Sequence, residues 1–185
     1  MATPFIYLID TIFFLYTLVV LLRALLQWVR ADFYNPVSRF VVKVTNPPLV
    51  PMRRIIPGFR GIDLASIVLL FLLTGLKIIL IHILAGAGLP GIIPLIIRIP
   101  VELTLLLLNF YLFTIIVQVV LSWIAPQQYN PVTVLLYQLN EPILRPARRL
   151  IPPIEGLDLS PLVVLIAITF IKYAIYSWVP SGITP

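Results

Sequence analysis

Four apolar blocks, each about as long as a bilayer crossing, dominate this sequence: 5–29, 64–84, 101–124 and 159–179. About 20 residues of helix span the ~30 Å of hydrocarbon in a membrane. In hydrocarbon a backbone N–H or C=O finds no water, so each block must close its own hydrogen bonds as a helix. Apolar residues make up 61% of the chain and charged residues only 11%. A soluble domain has roughly 45–50% and 25%, so little sequence remains for one here. The expected fold class is all-α, a polytopic membrane protein with four transmembrane helices. The opening Met-Ala-Thr-Pro-Phe has no basic residue and no small-residue cleavage site, so block one reads as a retained span.

The stretch 85–100 is apolar but broken by Gly86, Gly88, Pro90, Gly91 and Pro94, and it carries Arg98. It reads as an interfacial or re-entrant connector, not a fifth span. Topology follows from Lys and Arg. One long loop holds Arg30, Arg39, Lys43, Arg53, Arg54 and Arg60, the other Arg145, Arg148 and Arg149, and the opposite side only Arg98. Basic loops stay inside. Both long loops are therefore expected on the cytoplasmic side and both termini on the periplasmic side.

Shifted by 95 residues, the chain superimposes on itself without a gap. Tyr34-Asn35-Pro36-Val37 falls on Tyr129-Asn130-Pro131-Val132. Pro47, Leu49, Pro51, Arg53, Arg54, Ile56 and Pro57 fall on Pro142, Leu144, Pro146, Arg148, Arg149, Ile151 and Pro152. Gly61, Asp63 and Leu64 fall on Gly156, Asp158 and Leu159; Trp28 falls on Trp123, and Lys77 on Lys172. Residues 1–88 form a first repeat, with its basic loop at 30–63. Residues 89–185 form a second, with a connector at 89–100 and a basic loop at 125–158. Each repeat crosses the membrane twice, so the copies run in the same orientation, related by an axis along the membrane normal.

The duplicated loop has its own physics. Asn35-Pro36 and Asn130-Pro131 read as an N-cap followed by proline at the first helical position. Val37, Phe40, Val41 and Val44 then recur at helical spacing, as do Val132, Leu135, Leu136 and Leu139. The spacing predicts a short amphipathic helix lying in the headgroup plane. Pro47 and Pro142 are expected to end it. A Leu-x-Pro-x-Arg-Arg-x-Ile-Pro turn follows, and Asp63 and Asp158 are expected to N-cap the next spans.

These blocks resemble the YggT family, called YlmG in Gram-positive bacteria and plastids. The resemblance covers nearly the whole chain and is strongest in the two Asn-Pro…Pro-x-Leu-x-Pro-x-Arg-Arg-x-Ile-Pro…Gly-x-Asp-Leu blocks. The second copy, Gly-Leu-Asp-Leu-Ser-Pro, is closer to the family pattern than the first, Gly-Ile-Asp-Leu-Ala-Ser. The two-copy form implies a bacterial inner-membrane protein. Its relatives are linked to osmotic-stress tolerance, cell-division gene neighbourhoods, plastid nucleoid distribution and heme attachment to a plastid b-type cytochrome. The family supplies no agreed catalytic residues.

Lys77 and Lys172 lie about 20 Å along their spans. An intramembrane Lys costs roughly 2.5–3.5 kcal/mol, so it pairs, lines a polar cavity, or snorkels outward. Asp10 and Glu102 offer opposite charge at similar depth, which gives the expected pairs Asp10–Lys77 and Glu102–Lys172. Arg23 lies about 10 Å inside block one and can reach the interface; its counterpart is Gln118. Asn109 and Gln118 are placed to hydrogen-bond between helices. His82, the sole histidine, has Ser177 as counterpart, so an interfacial role outweighs a heme or proton-carrying one. Trp28 and Trp123 read as interfacial anchors.

The sequence has no Cys, no Gly-rich phosphate loop and no hydrolase or zinc-protease motif. No catalytic, metal or cofactor-binding residues are expected, and the chain reads as a non-enzyme. The Arg pairs mark an orientation signal or a site for anionic lipid headgroups or a cytoplasmic partner. Membrane-protein partners or a homo-oligomer are expected, with no direct nucleic-acid contact. Two functions compete: an assembly or organising factor whose level affects osmotic-stress tolerance, as the resemblance implies, and a small oligomeric ion or solute channel or transporter. A lipid-processing enzyme ranks last.

Overall fold

The computed structural model describes residues 3–59, 61–124, 130–151 and 158–179. Among them, four apolar helices are long enough to cross a membrane: α1 (Thr3–Trp28), α3 (Leu64–Leu84), α4 (Ile92–Ile124) and α6 (Ser160–Trp178). Between them lie α2 (Pro36–Ile55) and α5 (Pro131–Leu150), one in each repeat. The spans are apolar on every side, as helices surrounded by lipid are. Only 17% of the most apolar stretch of α1 is buried by the protein, against 39% of α4. Helix α4 is therefore the central span. Phe71, Phe113, Phe170 and Trp178 face outward, exposed.

Within repeat one, α1 packs most extensively on α3, and α2 packs on both. Within repeat two, α4 packs on α6, and α5 packs on both. The repeats join through α3 against α4 and, more lightly, α2 against α5. The equivalent first spans α1 and α4 border an apolar crevice of about 540 Å³, lined by Phe14, Leu18, Leu22, Leu106, Phe110 and Phe113. The core is centred on Val20, Leu26, Leu49, Ile115 and Leu144, each at most 1% exposed.

Two expectations are corrected. The first concerns the loop helices. Helix α2 continues through Pro47, Pro48 and Pro51, and α5 through Pro142 and Pro146, so the Arg pairs sit in last helical turns, not in a separate turn. Each internal proline removes one N–H and frees the carbonyl four residues earlier. The Tyr16 hydroxyl of α1 reaches one of these, donating to the Val44 carbonyl that Pro48 leaves open, at 3.5 Å. Packing supplies the rest. Beyond the prolines, Leu49 and Leu144 are fully buried, and burying one leucine side chain is worth about 1.5–3 kcal/mol. The buried face of α2 is Ser38, Val41, Thr45 and Leu49, while Phe40 points outward.

The second correction concerns 89–100. From Ile92 on, this stretch is helix, continuous with span three through Pro100, and forms a 33-residue α4. Residues as apolar as Ile92, Ile93, Ile96 and Ile97 are exposed. Lipid forces their backbone groups to pair internally, and this outweighs the bias against helix before Pro100. At 1.5 Å per residue the helix is about 50 Å long, more than the ~30 Å of hydrocarbon.

Leu49 and Leu144 give a test of the continuous loop helices. Leu49→Ala and Leu144→Ala should each destabilise the protein by about 2–4 kcal/mol. Phe40→Ala, on the outward face, should change stability by less than about 0.5 kcal/mol. Unfolding in a mild detergent, followed by circular dichroism, measures both.

Candidate functional site

Hydrogen-bonded and ion-paired side chains between elements collect at the ends of the loop helices, in the middle of the bundle, and at the interface between α4 and α5. Both predicted N-caps form. Asn35 accepts from the Val37 N–H at 2.9 Å, and Asn130 from the Val132 N–H at 3.0 Å, with Pro36 and Pro131 following. The Asn35 amide also crosses between repeats. Its Nδ2 donates to the Pro131 carbonyl at 2.7 Å. The duplicated Asn-Pro motif is thus both a helix start and the polar tie between the two loop helices.

At the other end of each loop helix, the first Arg of the pair reaches the Asp of Gly-x-Asp-Leu. Arg53 pairs with Asp63, with Nε also 3.4 Å from Oδ1. Arg148 donates from Nε to Asp158 at 2.9 Å, and from Nη1 to Glu141 at 2.7 Å. Both aspartates, expected only as caps, are also ion-pair partners. The signal was present, because Arg and Asp recur ten residues apart in both copies. As caps the two differ. Asp63 caps α3, with Oδ2 accepting from the Ser66 hydroxyl at 2.5 Å. The capping position of α6 is Leu159, not Asp158, yet Asp158 accepts from the Ser160 N–H at 2.9 Å. Pro161 stands where the first repeat has Ser66, and that helix starts one residue later than its counterpart. Arg54 and Arg149 remain exposed, as does Pro57; Pro152 lies outside the described residues.

The electrostatics follow from these contacts. Burial opposes ionisation of Asp63, but the hydrogen bonds from Arg53 and Ser66 and the guanidinium charge outweigh it, holding the carboxyl below the usual range. Burial likewise opposes ionisation of Asp158; the Ser160 and Arg148 contacts again win and lower it. Burial disfavours the charged form of Arg148, but Asp158 and Glu141 raise its pKa above the ordinary value.

In the middle of the bundle the predicted partners meet differently from the predicted pairing. Lys77 Nζ lies 3.5 Å from Asp10, as expected, and also 2.5 Å from Glu102. Arg98 Nε completes the group at 2.8 Å from Glu102. The expected Glu102–Lys172 pair is therefore wrong. Matching depth says nothing about which side of α4 a residue occupies, and Glu102 faces α3. Lys172 is half-buried and has no carboxylate partner among the described residues. The cluster borders a chamber of about 210 Å³ that Thr17, Thr74, Asn109 and Tyr176 also line. All four spans contribute to it. Two carboxylates face two cations, so the group is charge-balanced. His82 lies apart, its Nδ1 donating to the Ile78 carbonyl at 3.1 Å.

The third place was only half legible. Gln118 does bond between helices: Asn140 Nδ2 donates to its Oε1 at 2.8 Å, and the Thr114 hydroxyl donates to Asn140 Oδ1 at 2.8 Å. Asn140, fully buried, was not anticipated. The counterpart of Gln118, Arg23, is buried, with its guanidinium 5.4 Å from the centre of the Phe33 ring.

Three outcomes check this geometry. Arg53→Ala leaves Asp63 buried beside a lost partner and should cost about 1–3 kcal/mol. Because both aspartates have lowered folded-state values, their contribution is complete above their unfolded pKa of ~3.9 and fades as pH falls through the lower folded values. Melts below about pH 4 should show this loss, and Asp63→Asn with Asp158→Asn should flatten it. Lys77→Met should cost about 1–3 kcal/mol, since Arg98 still holds Glu102, while Lys172→Met should be near neutral.

The comparisons agree with this duplicated architecture. The family model described as CCB3/YggT matches residues 2–84 and 97–179, one segment per repeat. An uncharacterised protein of Pseudomonas aeruginosa is 50% identical over 170 residues, 91% of this chain and 86% of that one. The protein YggT of Escherichia coli K12 is 38% identical over 170 residues, 91% and 87% of the two chains. A Vibrio alginolyticus protein described by its place in the proC 3' region is 39% identical over 168 residues, 90% of each. No solved structure matches. With both repeats matched and relatives aligned over most of their length, the chain belongs to the CCB3/YggT family.

Proposed function

We propose that this protein is a non-enzymatic organising factor of the bacterial inner membrane, whose level affects tolerance of osmotic stress. One observation carries the reading: the two loop helices form a single braced platform. They are tied at their starts by Asn35 and Pro131, and at their ends by the Arg53–Asp63 and Arg148–Asp158 pairs. Orientation of a membrane chain needs only charge, not a fixed backbone. The platform exposes Phe40, Ile55, Tyr137 and Leu150 beside Arg54 and Arg149. Apolar and cationic side chains side by side suit an interface of headgroups and membrane-protein partners. In this reading the basic loops are cytoplasmic, the termini periplasmic, and the partners are anionic lipid, other membrane proteins or a second copy. No cofactor and no direct contact with nucleic acid are invoked.

A channel or transporter is the second reading, and the chamber around Lys77 is what favours it. Its charges are already mutually paired, which makes a bundle clamp the simpler role. Crosslinking in native membranes with mass spectrometry should recover reproducible partners through the loop helices. Repeated recovery of the protein alone would count against the organising role. Potassium, sodium or chloride flux in proteoliposomes that Lys77→Met abolishes would establish the second reading instead.

A further inference from the structure

The two repeats diverge most sharply in one cluster of cations. Arg23, Arg30, Arg39 and Lys43 of the first repeat correspond to Gln118, Ala125, Val134 and Gln138 of the second. The first four line a single open cleft of about 920 Å³, beside Phe33 and Asn46, where α1 ends against α2. No carboxylate lines this cleft, and none of the four cations has an ion-pair partner among the described residues.

Arg23 forms the back wall. It is 6% exposed, and its Nε and Nη1 are buried without a hydrogen-bond partner. A buried guanidinium in that state is costly unless something accepts from it. The Phe33 ring face offsets part of the charge but accepts no conventional hydrogen bond. The second repeat shows what a closed version looks like. There the equivalent Gln118 is engaged by Asn140. In the first repeat, the residue equivalent to Asn140 is Thr45, whose hydroxyl donates to the Val41 carbonyl of its own helix at 2.7 Å. Arg23 is left facing the cleft.

Arg30 adds to the same picture. It ends α1 with φ 53°, a left-handed conformation that L residues seldom adopt, inside a turn where the Ala31 N–H reaches back to the Leu26 carbonyl at 2.9 Å. Glycine is the usual residue at this position. A cation stands there instead, on the rim of the cleft.

We infer that this cleft is a binding site for a phosphate-bearing anion, present in the first repeat alone. The Arg23 guanidinium offers the paired N–H groups that match phosphate oxygens, and Arg30, Arg39 and Lys43 supply surrounding positive charge. The phosphate comes from an anionic lipid headgroup at the end of the span or from a free phosphate compound. Arg53 borders this site, its Nη2 donating to Gln27 of the lining at 3.5 Å, but its guanidinium is already held by Asp63 and is not one of the four unpaired cations. It does not depend on the organising role; a protein without protein partners would still bind the anion.

The full-length protein provides the test in two arms. In the first, it is reconstituted into nanodiscs of phosphatidylcholine with a minor fraction of phosphatidylglycerol, and native mass spectrometry counts the phosphatidylglycerol retained. In the second, delipidated protein in neutral detergent is titrated with inorganic phosphate and melted. Retention of phosphatidylglycerol that drops about fivefold or more in Arg23→Gln identifies a lipid headgroup. A melting shift with inorganic phosphate, lost in Arg23→Gln, identifies a free anion. Glutamine is what the second repeat carries at this position, and the exposed rim pair Arg39→Gln with Lys43→Gln should reproduce the loss if Arg23→Gln folds poorly. Absence of both effects in the unaltered protein overturns the site. So does retention that responds to Arg54→Gln with Arg149→Gln but not to the cleft variants.

Discussion

Hydrocarbon offers no partner to a backbone N–H or C=O, and the architecture follows from that constraint. It makes each apolar block a helix. It also decides the least obvious part of the fold, the helical continuation of α4 through Pro100. In water, a segment carrying Gly91, Pro94 and Pro100 would lose little by leaving the helix. In an apolar setting every residue that does so exposes two unpaired groups. The loop helices show the opposite limit. Helices α2 and α5 carry prolines that free several carbonyls, which is tolerable where water or a neighbouring hydroxyl such as Tyr16 can reach them.

On this common backbone the two repeats have become different molecules in their polar groups. The skeleton is shared: an Asn-Pro start, a helix braced at its end by Arg to Asp, and a buried leucine behind the prolines. The interior is not shared. The second repeat closes a neutral network of Thr114, Gln118 and Asn140. The first places Arg23 at the position of Gln118 and adds three more cations around it. Even the tie between the repeats is one-sided, since the Asn35 amide donates across to Pro131. Duplication set the frame, and substitution within the frame divided the roles.

The four spans, the repeat and the caps at Asn35 and Asn130 were legible in the sequence because each rests on a local or periodic signal. Length and apolarity define a span, and an Asn-Pro pair ahead of a periodic stripe defines a helix start. What was not legible depends on which face of a helix meets which neighbour. Lys77 and Lys172 are equivalent in sequence, yet only Lys77 lies beside Glu102. Arg98 was visible as a topology marker, while its pairing with Glu102 needed a continuous α4 to set the two four residues apart on one helix. Pro47 and Pro142 misled because the local rule against residues preceding proline was overridden by burial of Leu49 and Leu144. The burial of Arg23 against the Phe33 ring was likewise not legible, because it depends on how the segment after α1 folds back on that helix.

Charge inside a membrane protein sorts into two kinds, and the sorting separates clamp from site. Lys77, Arg98, Asp10 and Glu102 satisfy one another, so moving any of them leaves an opposite charge uncompensated. Such a group holds three helices together, α1, α3 and α4, and has little remaining field to attract a solute. The cations around Arg23 have the opposite character. They repel one another, none of them forms an ion pair among the described residues, and the most buried carries unmet donors. A fold that gained nothing from this arrangement could adopt the neutral set it already uses in its other half. The first repeat keeps four positive charges at one opening, where an arriving anion would relieve their repulsion and complete the hydrogen bonds of Arg23.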